Sequence, residues 1–197
     1  MRVFISTVFM VCSAVLWAQG PPLPPSSTQV LLSLSQSWTA TTVRLYRYER
    51  VGGRWVAVGS PLRGRIGSKG LGWGMGLHTP GQGPQKREGD KRAPAGIFAL
   101  GTLLGQRTTP PPRTTIPYRT ITPHLHCVDD PASPHYNRLV ESSAPSWASS
   151  ERLYRNPWYP LALWVDHNPG ARPGLGSCIF IHPWIQKTDT SVGCTMV

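Results

Sequence analysis

Cys194 stands in a Ser191-Val192-Gly193-Cys194 turn, and His182 stands twelve positions before it at the end of an apolar run, Cys178-Ile179-Phe180-Ile181-His182. A thiol attacks only as the thiolate, and a neighbouring imidazole is the usual means of making one. A strand-like run holds His182 in place, and a loop over residues 183–193 is short enough to return Cys194 to its side. Gly193 lets the backbone approach a carbonyl closely. The N–H groups around Gly193 and Cys194 then stabilise an oxyanion, with Ser191 shaping the turn. The pattern predicts acyl transfer through a thioester, with Cys194 as nucleophile, His182 as general base, and Ser191 and Gly193 in the oxyanion turn. One cysteine and one histidine at this spacing are also what an ordinary core contains.

The elements that must position these groups begin after residue 18. Residues 1–18, with Arg2 at the start, a mostly apolar stretch and Ala18, read as an export signal. The stretch is too short for a stable membrane span in the mature protein, although an uncleaved anchor is the alternative. The expected location is therefore periplasmic or extracytoplasmic. Residues 19–27 form a Pro-rich linker, and residues 28–197 form one catalytic-sized domain. Removing the signal leaves Cys127, Cys178 and Cys194. An oxidising compartment favours pairing. Cys127 and Cys178 both lie in apolar, strand-like segments, so they either form a disulfide or pack as inert thiols, and Cys194 is the odd one out.

The chain carries 20 Lys and Arg against 9 Asp and Glu, a net charge of +11. The excess is concentrated over residues 44–92. Such a surface attracts polyanions. For an exported protein an anionic cell envelope polymer is the expected partner; no nucleic-acid motif is present, and a solvated basic face is the plain alternative. With 20 Gly and 21 Pro, long helices have little room. Strands are predicted over 28–34, 41–49, 96–101, 161–166 and 177–182, with a hairpin turning at Gly52-Gly53. Residues 108–115 read as loop, and residues 142–151 as loop running into a short helix that ends near Arg155. The fold class is mainly β with few short helices.

Other residues carry weaker signals. His124 and His126 alternate, as metal ligands on a strand can, but no third ligand accompanies them, so packing or surface roles are expected and no metal. Asp90 and Pro94 are expected to shape a turn. His78 has no assigned role, and Trp184, next to His182, is expected to line a cleft.

Residues 83–101, GPQKREGDKRAPAGIFALG, resemble a signature of the bacterial L,D-transpeptidase catalytic-domain family, preceded by a Gly-Trp-Gly stretch at residues 71–77. Residues 127–140, 149–155, 165–168 and 176–184 resemble further blocks of that family in the same order. The resemblance spans about residue 31 to the last residue. It implies a β-sandwich catalytic domain that acts on peptidoglycan stem peptides outside the cytoplasm. The cysteine forms an acyl-enzyme and an amine resolves it into a cross-link; no cofactor or metal is implied. Carried onto this chain, the nucleophile is Cys194, the base His182, and the turn Ser191 and Gly193. An L,D-carboxypeptidase, in which water resolves the acyl-enzyme, is the alternative. So are an inactive basic wall-binding module and, more remotely, a secreted protein that binds another polyanion. Two features depart from the pattern. Val192 replaces a second histidine, and Thr195-Met196 follow the cysteine where arginine is common. Family domains also continue past this point, so the chain is expected to be truncated at its C-terminus.

Overall fold

The computed structural model describes residues 23–186 and 190–197. The signal-like segment and part of the linker lie outside the described residues. The described part of the linker, residues 23–27, is no free tether: Arg50 Nη1 donates to the Pro25 carbonyl at 2.7 Å.

Among the described residues the protein is all β, with no helix. The strands are β1 (Gln29–Ser35), β2 (Thr42–Val51), β3 (Arg54–Ala57), β4 (Leu62–Arg65), β5 (Leu71–Trp73), β6 (Ala93–Ala95) and β7 (Leu100–Gly105), followed by β8 (Tyr118–Thr120), β9 (Leu125–Val128), β10 (Arg138–Glu141), β11 (Ser150–Arg152), β12 (Leu161–Val165), β13 (Phe180–His182) and β14 (Thr195–Met196). The main sheet runs β1-β2-β4-β14-β13-β12-β7-β8, with β3 paired to β2. A three-stranded sheet, β10-β9-β11, and a two-stranded sheet, β5-β6, pack on it.

The hairpin forms as expected: Val51 pairs with Arg54 across Gly52-Gly53, and both glycines take positive φ, which a two-residue turn requires. Two expectations shift. The strand predicted over 96–101 starts only at Leu100, because the Ile97 N–H and carbonyl are both turned to the His78 ring. The strand predicted over 177–182 starts only at Phe180, because Cys178 takes a φ of 54°, outside the extended region. One expectation fails: no helix ends near Arg155. Residues 150–152 pair with β9 instead, and the sheet hydrogen bonds override a weak helical signal.

Side chains alternate across the sheet, and the two faces bury different cores. Val43 and Leu45 of β2 point to one face and form a core with Ile66 and Ala93, capped by Leu71 of the two-stranded sheet. Leu104, Ala162, Phe180 and Cys194 point to the other face, where Leu125, Cys127 and Leu153 of the three-stranded sheet region cover them. This is a sandwich at one end of the main sheet. The Cys127–Cys178 disulfide joins the two layers, with Cα atoms 5.9 Å apart. It closes a loop of 51 residues, a constraint on the unfolded chain that the loop-entropy argument puts at about 4 kcal/mol.

Candidate active site

β13 and β14 run parallel and adjacent, with His182 beside Met196. Cys194 just precedes β14, so it lies next to Phe180 and on the same sheet face as His182. The turn before it is locked by Ser191. The Ser191 hydroxyl donates to the Cys194 carbonyl and accepts the Gly193 N–H at 3.2 Å. The Ser191 carbonyl in turn accepts the Ser68 N–H at 2.9 Å. Gly193 is closely packed: a Cβ there would lie 3.3 Å from Ile179 Cδ1 and 3.4 Å from the Arg92 carbonyl. Val192 points outward and is 70% exposed.

The Cys194 sulfur is buried. It accepts the Phe180 N–H at 3.4 Å and faces the Cys178 carbonyl at 3.7 Å. The Tyr159 hydroxyl is its other polar neighbour, and that hydroxyl also engages the Glu151 carboxyl. Burial pushes the thiol up to about 12, with the Phe180 N–H pulling the other way. Burial likewise raises Glu151, opposed by its bond to Tyr159.

His182 does not hydrogen-bond to the thiol in this conformation. Its Nδ1 faces the Pro183 carbonyl at 3.0 Å, and the ring also engages the Trp158 carbonyl. Burial lowers its pKa. Tyr159 touches both predicted partners: its ring centroid lies 5.0 Å from the imidazole, while its hydroxyl reaches the sulfur. The structure thus brings Cys194, Ser191 and Gly193 together in one turn, while the His182 ring is engaged by the Pro183 and Trp158 carbonyls and the thiol by Tyr159. The Gly193 N–H, expected to face an oxyanion, is taken by Ser191.

A network of buried polar groups supports the turn from behind. Lys86, only 5% exposed, packs beside Gly193 and Gly176 and donates to Asp90 Oδ1 and the Arg87 carbonyl, each at 2.6 Å. Asp90 shapes its loop as expected, accepting the N–H groups of Arg87 and Arg92 at 2.8 and 2.9 Å. Glu88 accepts the hydroxyls of Tyr136 and Ser177. Asn137 donates to the carbonyls of His167 and Asn168 and accepts the Cys178 N–H. His167 accepts the Met75 N–H and donates to the Leu175 carbonyl at 2.9 Å; burial lowers its pKa to about 4. Residues from five separate stretches of sequence therefore meet around Cys178 and Cys194.

Sequence reading missed Tyr159, Glu151 and Lys86. Tyr159 sits in Asn156-Pro157-Trp158-Tyr159-Pro160, where two prolines read as loop punctuation rather than as a frame for a buried phenol. Lys86 looked like part of a basic run, and only its burial separates it from that run. His126 bonds Ser150 Oγ at 3.0 Å and packs against Trp147, whereas His124 is exposed. Among the described residues no group of three His, Cys, Asp or Glu is placed to hold a metal.

No family model, curated protein or solved structure matches this chain. What the site does must therefore be argued from its own geometry.

Proposed function

We propose that the protein is an exported acyltransferase that works through Cys194 on peptidoglycan stem peptides. One observation carries the reading. The stretches that resemble the L,D-transpeptidase signature, separated by up to about a hundred residues, pack together around Cys178 and against the turn that holds the only free thiol among the described residues. In the reaction the Cys194 sulfur adds to the carbonyl carbon between the third, L-configured centre and the terminal D-alanine. The C–N bond breaks, D-alanine leaves with the thiol proton, and a thioester remains. An amine resolves the thioester into a cross-link; water resolves it into a shortened stem.

The resting thiol is protonated and covered, so acylation needs the Tyr159 phenol to yield. His182, edge-on to that same ring, is then the imidazole that takes the proton. The burial of Cys194 favours a second reading, a basic wall-binding domain that performs no chemistry. Intact-mass analysis after incubation with a carbapenem separates the two. One adduct is expected, absent in Cys194→Ala and retained when Tyr159 is changed to Phe. An unmodified wild-type protein, or labelling that survives Cys194→Ala, refutes the acyl-enzyme.

A further inference from the structure

Thr42, Arg65, Met196 and His182 are successive partners across β2, β4, β14 and β13. Partners in neighbouring strands share a face. The face that carries His182 and Cys194 therefore continues through Met196 to Arg65 and, in the next row, to Arg44 directly opposite Arg63. At this end the three-stranded sheet no longer covers it. The face opens into a groove of about 590 Å³, lined by Leu34, Arg44, Tyr46, Arg63, Arg65 and Trp184 among others. Among the described residues no acidic one lines it. Among the described residues neither Arg44 nor Arg63 has an acidic partner. Like charges directly opposite in a sheet repel, so this pair is an arrangement that an anion would relieve.

We propose that the groove is a carboxylate subsite for an extended acidic peptide, the chain whose acyl group Cys194 takes; this rests on the acyl-transfer reading above. The arginine pair lies one strand spacing from β14 and, in register, four residues along it from Cys194, about 14 Å. An extended peptide covers that distance in about four residues. A carboxylate some four residues from the reacting carbonyl thus meets the arginine pair, whose guanidinium forks suit bidentate carboxylate binding. Tyr46 and Leu34 supply an apolar wall, and Trp184 lies at the His182 end. The two unpaired guanidinium groups form one row, not a track along which a phosphate backbone could run.

The test is fluorescence anisotropy with a labelled extended peptide carrying two glutamates and its two-glutamine counterpart, against wild type and Cys194→Ala. The acidic peptide is expected to bind about tenfold tighter to both proteins. An Arg44→Gln, Arg63→Gln double variant should lose that preference while keeping its thermal midpoint. Equal binding of the two peptides, a preference that survives the double variant, or displacement by a single-stranded oligonucleotide at lower concentration overturns the subsite. The outcome is independent of the thiol. A preference without any Cys194 adduct leaves the subsite standing and the acyl reading refuted; an adduct without the preference does the reverse.

Discussion

The same face of the main sheet behaves in opposite ways at its two ends. Around Cys194 the charged side chains Lys86, Glu88 and Asp90 each have close partners, and the thiol, Asn137 and His167 are buried. At the β2–β4 end, two arginines face each other beside exposed Leu34, and among the described residues no acid lines the groove. Closure at the first end comes from the three-stranded sheet and the disulfide that fastens it. Where that layer stops, Arg44 and Arg63 have no acidic partner among the described residues, which is what a surface kept for a ligand requires. The contrast teaches that burial and reactivity are set by the second layer, since the β-strands beneath are continuous.

The comparison breaks most readily at Asp90. Changing Asp90 to Ala leaves the Lys86 ammonium buried without its partner and frees two backbone N–H groups. A loss of about 3 kcal/mol is expected in urea unfolding, because an uncompensated buried charge is costly. A loss within measurement error would mean that the closed end is less closed than its contacts imply.

His167 gives a pH test of nearly the same size. Its folded pKa lies near 4, below the ordinary 6.5, because burial disfavours the imidazolium. Above pH 6.5 neither state binds the proton and stability is full. Between 6.5 and 4 the unfolded chain takes up a proton that the folded protein refuses, so stability falls as pH falls, by at most about 3 kcal/mol. The thermal midpoint should drop across that window, and His167→Gln should flatten the drop. An identical profile in the variant would assign the pH dependence elsewhere.

At the open end the expected sign reverses. Arg44→Thr removes one of two opposed like charges and puts a good strand former in its place. A gain of about 0.5 kcal/mol is expected in the same urea assay, shrinking as salt is added. A loss would indicate that Arg44 has a structural partner after all.

Much of the architecture is legible in the sequence. Gly52-Gly53 marks its turn, and the alternation in residues 41–49 marks β2, because those signals are local. Parity and compartment left the Cys127–Cys178 disulfide as one of two open readings, and only the approach of the two segments decides it. The site is less legible. That Tyr159 would contact both His182 and Cys194 depends on how a proline-framed loop packs against β13, and nothing local encodes it. The absence of a helix near Arg155 has the same origin: residues 150–152 are captured by β9, a partner more than twenty residues away. Lys86 and Arg44 are both basic residues in one basic stretch, and only tertiary packing makes the first a buried prop and the second an open contact.

The position of β14 has a consequence for how the molecule assembles. It lies between β4 and β13, and it comes later in the chain than either. Until it docks, the main sheet is two separate pieces, one made from residues 29–65 and the other from residues 100–182, with a strand-wide slot between them. Each piece can order by itself, and both expose an unpaired edge to the other. The strand that closes the slot immediately follows Cys194, so the turn and the sheet are completed in one event. A chain caught before that event has no site and two sticky edges, which makes self-association of the late intermediate the expected failure during refolding.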